Sequence, residues 1–75
     1  MDIGRALRRV AAEEGMTQAR LSRVTGLPDS HVSQIWRSKI HDPTASIVWR
    51  LCAALRVDMG DFMREAMGYP DPEGR

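Results

Sequence analysis

Gln18-Ala19-Arg20-Leu21-Ser22-Arg23-Val24-Thr25-Gly26-Leu27-Pro28-Asp29-Ser30-His31-Val32-Ser33-Gln34-Ile35 places two short apolar patterns on either side of a glycine. Leu21 and Val24 stand three apart, as do Val32 and Ile35, a spacing that puts each pair on one face of a helix. Thr17, just ahead of the stretch, is a good N-cap. Gly26 permits the positive φ that a sharp turn needs, and Leu27 with Pro28 makes the corner. The expectation is a helix over Gln18–Thr25, a tight turn, and a second helix over Asp29–Arg37, with Leu21, Val24, Val32 and Ile35 inward. Ser22 is small enough to let the second helix approach closely.

Two short helices joined by a glycine-containing turn form a helix-turn-helix. Upstream, Ile3, Leu7, Val10 and Ala11 share one face of a helix over Ile3–Glu14, and Gly15 suits its left-handed end. Downstream, residues 38–43 lack periodicity and read as a loop. Pro43 then opens a helix over Thr44–Leu55, with Val48, Leu51, Cys52 and Leu55 on one face. A last helix over Met59–Met67 carries Phe62, Met63 and Met67. No apolar run alternates as a strand would. The fold class expected is all-α: a compact five-helix bundle over residues 1–67, with a flexible tail over 68–75 that contains Pro70, Pro72 and Gly74.

At 75 residues the chain has room for one small domain. Hydrophobic residues make up 43% and charged residues 28%, a balance that suits a soluble globular protein. The longest apolar run, Leu51–Leu55, is far short of the roughly 18 residues of a membrane span. Asp2, Arg5, Arg8 and Arg9 lack the apolar stretch of a signal peptide behind them. One cysteine and two histidines build neither an internal disulfide nor a metal site. A reduced, cytoplasmic protein without metal or cofactor is expected. There is no Gly-rich phosphate loop and no Ser/His/Asp set, so an enzyme is not expected. The net charge is only +1, but it is unevenly spread. Between Gln18 and His41, Arg20, Arg23, Arg37 and Lys39 stand against Asp29 alone, whereas acidic residues outnumber basic ones after His41. The basic middle points to one face meant for a polyanion.

At this point the chain resembles the lambda-repressor-like, Cro-type helix-turn-helix family. Gly15-Met16-Thr17-Gln18-Ala19-Arg20-Leu21 looks like that family's G-x-T-Q-x-E-L. Pro43 through Phe62 looks like its closing segment, a Pro-started helix followed by L-x-V-x-x-x-x-F/L. The resemblance covers Ile3 to Phe62. Three positions depart from it. Arg20 stands where the family usually has Glu, and Arg56 where a Gly often closes the fourth helix. Ala11 and Trp36 replace an Arg–Glu pair between the first and third helices. Trp36 either folds back over Ala11 and substitutes apolar packing for that pair, or projects outward as a contact surface. Arg56 either holds a strained backbone or marks a helix that ends differently.

The resemblance implies that the helix starting at Asp29 enters the major groove of DNA. Ser30, Ser33, Gln34 and Arg37 form its polar stripe. Gln34 suits adenine N6 and N7, or is an ordinary solvated residue. Ser30 and Ser33 bond bases or phosphates with little specificity. Asp29 either caps the helix or accepts from a cytosine amino group. His31 is a phosphate neighbour or plain surface. Thr17 and Gln18 begin a helix whose N–H groups hold a phosphate. Arg20, a cation opposing the helix dipole, either binds a phosphate or is tolerated on a solvated face. Arg37 and Lys39 reach the flanking backbone.

The implied function is a sequence-specific double-stranded DNA-binding transcriptional regulator, a repressor of phage, plasmid or antitoxin type. Its site would be an approximate palindrome bound by a homodimer, with Trp49, Val57, Phe62, Met63 and Met67 at the interface. A partner protein such as a toxin fits this class, and so does a bacterial or phage nucleoid setting. The competing reading is a protein-interaction module on the same fold without DNA binding. Cys52, on an apolar helix face, reads as an inert core residue.

Overall fold

A computed structural model describes residues 1–68 of the chain. Five helices occupy it: α1 Ile3–Glu14, α2 Gln18–Thr25, α3 Asp29–Trp36, α4 Ala45–Leu55 and α5 Met59–Met67, with no strand among the described residues. The expected flexible tail lies outside the described residues except for Gly68, which closes α5 in the left-handed region at φ 76°. The third and fourth helices are each one residue shorter than their spacing predicts. Arg37 caps α3, and Thr44 caps α4 by accepting from the Ile47 N–H at 3.3 Å.

Each helix has a local reason to start and stop. Asp2, Thr17 and Asp58 accept from the backbone N–H three residues on, at 3.0, 3.2 and 3.0 Å, and so satisfy first-turn donors. Arg56 ends α4 in the left-handed region at φ 58°, where glycine is the usual occupant. The helix therefore ends where the family pattern places its end, and a non-glycine residue there costs about 1 kcal/mol.

The core is continuous through all five helices. Leu7, Leu21, Val32, Ile35 and Leu51 are fully buried, and Leu27 plugs the corner between α2 and α3. α1 packs against α3, α4 and α5, while α2 packs against α3 and α4. Two assignments, one inward and one outward, need correction. Val24 is 56% exposed and lines an open groove with Ala53, Ala54 and Arg56 at the end of α4. Phe62, expected at a dimer surface, is 1% exposed and fills the core between α5 and its neighbours.

Cys52 is buried, and its thiol is pushed up to about 11, first by burial and then by the Asp58 carboxylate nearby. Trp36 is half-buried against the core, so neither of its two alternatives holds in full. The Arg8 guanidinium donates to the Trp36 carbonyl. A cation at the end of α3 thus links α1 to α3 without the charge pair usual in the family.

The start of α1 is clasped from two sides. The Asp2 N–H donates to the Ala66 carbonyl at 2.8 Å. Arg5 donates to the Glu65 carbonyl at 2.7 Å and pairs with its carboxylate at 3.2 Å, which Arg9 also reaches at 3.0 Å. Asp2 accepts from the Ser38 hydroxyl at 2.9 Å. These bonds hold the Asp2 carboxyl below the ordinary value of 3.8, the Arg5 N–H contributing most and the Ser38 hydroxyl next. Gly4 allows this close approach. A Cβ there would lie 2.6 Å from the Ile35 carbonyl oxygen and strike the Ser38 hydroxyl.

Candidate nucleic-acid interface

The corner between α2 and α3 positions everything that follows. Gly26 turns the chain at φ 78°, and its N–H donates to the Ser22 carbonyl at 2.9 Å. The backbone of Leu27 is then gripped at both of its polar groups. Its N–H donates to Thr25 Oγ1 at 3.2 Å, and its carbonyl accepts from Ser22 Oγ at 2.6 Å. Thr25 Oγ1 in turn donates to the Leu21 carbonyl at 2.6 Å. The sequence reading gave Ser22 only the merit of small size and gave Thr25 no role. The signal that could have found them is a hydroxyl residue just before the helix-ending glycine and another three positions earlier, since such side chains compete locally for backbone groups.

With the corner fixed, Val32 and Ile35 turn inward and are fully buried. The opposite face of α3 is thereby presented outward. Ser30, Gln34 and Arg37 are exposed and Ser33 is half-buried, so the structure brings together the stripe read from the sequence. His31 is half-buried beside it. Asp29 does not cap the helix. Pro28 holds the N-cap position in extended geometry at ψ 147° without a side-chain bond, and Asp29 becomes the first helical residue, exposed and favourable to the helix dipole. After Arg37 the chain folds back at once: Ser38 takes φ 60°, and the Lys39 N–H donates to the Gln34 carbonyl at 2.8 Å. Arg37 and Lys39 are therefore exposed at the end of the stripe.

Thr17 and Gln18 begin α2, with the Thr17 hydroxyl occupied in capping and Gln18 half-buried. Arg20 stands apart from this group. It lines an open groove with Val24 and with Ala53, Ala54 and Arg56 from the end of α4. The electrostatics separate the two sides of the molecule. Of the four ion pairs among the described residues, two join α1 to α5, one lies within α1 and one within α5. Arg20, Arg23, Arg37 and Lys39 form none. The basic middle thus faces solvent without internal neutralisation, which leaves its field available to an anionic partner.

On the remaining surface, Trp49 of α4 is 62% exposed and Met67 of α5 is 44% exposed. Val57 and Met63 are half-buried against the core. Among the described residues, no three or more His, Cys, Asp or Glu side chains are grouped to hold a metal ion, and no helix is long and apolar enough to cross a membrane.

Comparison with protein families gives a match over most of the chain. Residues 6–64 fit the model of the Cro/C1-type helix-turn-helix DNA-binding domain. No curated protein matches the chain. The matched span takes in α2, the clamped corner and the outward stripe of α3, and it covers well over half of the sequence: the chain belongs to the Cro/C1-type helix-turn-helix DNA-binding domain family.

Proposed function

We propose that this chain is a sequence-specific regulator of transcription, a repressor of phage, plasmid or antitoxin type, that lays α3 in the major groove of double-stranded DNA. The observation that carries the reading is the Ser30, Ser33, Gln34 and Arg37 stripe, turned outward by two fully buried residues on the opposite face of the same helix. Gln34 reads an adenine through its paired donor and acceptor. Ser30, Ser33, Asp29 and His31 fill in the contacts around it. Thr17 and Gln18 at one end and Arg37 and Lys39 at the other hold the sugar–phosphate backbone and fix the register.

One recognition helix reads too few base pairs for a useful site, so the regulator acts as a homodimer. Exposed Trp49 and Met67, with half-buried Val57 and Met63, supply its apolar surface. Half-sites then lie about 34–36 Å apart in an approximate palindrome. A cytoplasmic, nucleoid-associated setting in a bacterium or phage, and control by a partner such as a toxin, accompany this reading.

Selection of bound sequences from a random duplex pool tests it. Enrichment of a palindromic site is expected, with log affinity falling against log salt by about 0.9 per phosphate contact. Gln34→Ala should relax preference at one base position by about 1–3 kcal/mol. Absence of duplex binding at low salt would overturn the proposal in favour of a protein-interaction module on the same fold.

A further inference from the structure

Two residues of this chain carry a local cost, and they come from different elements. Arg20 is a cation in the first turn of α2, where the helix dipole disfavours it and where Glu would complete a capping box with Thr17. Arg56 occupies a left-handed position, φ 58°, that glycine fills without strain. Both line the same open groove, of about 480 Å³, between the α1–α2 junction and the end of α4. Neither makes an ion pair among the described residues. Residues that break a local rule and converge on one place mark a site rather than two accidents.

We propose that this groove is a docking site for an acidic, apolar segment of a partner protein, its carboxylates gripped by Arg20 and Arg56 and its apolar side chains seated on Met16, Val24, Ala53 and Ala54. Charge complementarity sets the sign of the partner, since two guanidinium groups on one groove, neither in an ion pair among the described residues, favour an anionic partner whose carboxylates each can hold in bidentate geometry. The exposed apolar residues among the lining set its kind. Val24, more than half exposed on a two-turn helix, and exposed Ala53 gain from covering by side chains and nothing from a phosphate. Glu14 also lines the groove, which leaves it a net charge of +1 from Arg20 and Arg56 against Glu14. Arg20 lies two positions beyond Gln18, about 200° around the helix, so it faces away from that end of the proposed DNA surface. The groove is therefore separate from the α3 stripe, and both can be occupied together.

The test begins by panning a displayed random-peptide library against the immobilised full chain, with enrichment of Asp or Glu beside Leu, Ile or Phe expected. A synthesised enriched peptide, titrated into isotope-labelled protein, should shift the amides of Met16, Val24, Ala53 and Arg56. Arg20→Glu and Arg56→Gly should each weaken that peptide by about tenfold or more, as loss of an arginine anchor does. Both variants should melt at or above the wild-type temperature, because Glu completes the capping box and Gly relieves the left-handed residue, so lost binding cannot be ascribed to unfolding. Failure to enrich acidic peptides, shifts that map elsewhere, or unchanged affinity in the two variants would overturn the proposal. So would a flatter salt dependence of duplex binding in Arg56→Gly, which would make Arg56 a DNA-backbone contact. Loss of DNA binding through the α3 stripe leaves every one of these readouts intact, so the two proposals fail separately.

Discussion

The α2–α3 corner and the seam where α1 meets α5 and the end of α3 are both closed by polar contacts, but over very different lengths of chain. At the corner, Leu21, Ser22, Thr25, Gly26 and Leu27 satisfy one another within a few residues. At the seam, Arg5 reaches Glu65 across 60 residues and Asp2 reaches Ser38 across 36. The corner sets the angle at which α3 is presented, and its bonds are half-buried. The seam closes the bundle, and its ion pairs are largely exposed. Steric fit therefore decides the seam, hydrogen-bond satisfaction decides the corner, and charge is a minor force in either.

The strongest way to break this contrast is Gly4→Ala. The added methyl meets the Ile35 carbonyl, a backbone atom that cannot swing aside, so a loss of about 2–3 kcal/mol in unfolding free energy is expected. Urea titration measures it, and a neutral result would show that α1 and α3 have slack between them. Thr25→Val and Ser22→Ala test the corner. Each removes one grip on the Leu27 backbone and should cost about 1–2 kcal/mol. The two should not add independently, because both act on one peptide segment.

Arg5→Ala should cost less, under about 1 kcal/mol, and the loss should shrink in high salt, since the pair it removes is exposed. A salt-insensitive loss would instead credit the bond to the Glu65 carbonyl. The finest comparison is between wild type and Asp2→Asn across pH. The Asp2 carboxyl sits below its ordinary value of 3.8 in the folded chain. Its contribution is therefore present above that value and is lost as pH falls through the lower folded value. The two stability curves should differ at neutral pH and converge in acid. Curves that stay parallel would mean that the Ser38 bond does not depend on the charge.

That difference in range explains what the sequence disclosed. The five helices and the outward stripe of α3 rest on caps, glycines and apolar spacing, all local, and they were legible almost to the residue. The misreadings have equally specific causes. Asp29 and Pro28 compete for one cap position, and a shift of one residue exchanges their roles. Val24 has the right spacing for burial, but it lines an open groove beside the end of α4. Phe62 looked surplus to so small a core, and only the packed volume shows that it is needed. Gly4, Ser38 and Glu65 gave no signal, because each acquires its role from a residue far away in sequence. Trp36 fell between its two expected fates because one edge of the indole can pack while the other stays wet.

The bond from the Asp2 N–H to the Ala66 carbonyl has a consequence for how the protein is made. Synthesis proceeds from the N-terminus, so α1 emerges from the ribosome before α5, one of the three helices it packs against. Until α5 follows, the apolar face of α1 lacks the side chains of Phe62 and Ala66. The hydrogen bonds of the α2–α3 corner run only from Leu21 to Leu27 and need nothing from α5, so the helix that locks α1 is not one that shapes the turn.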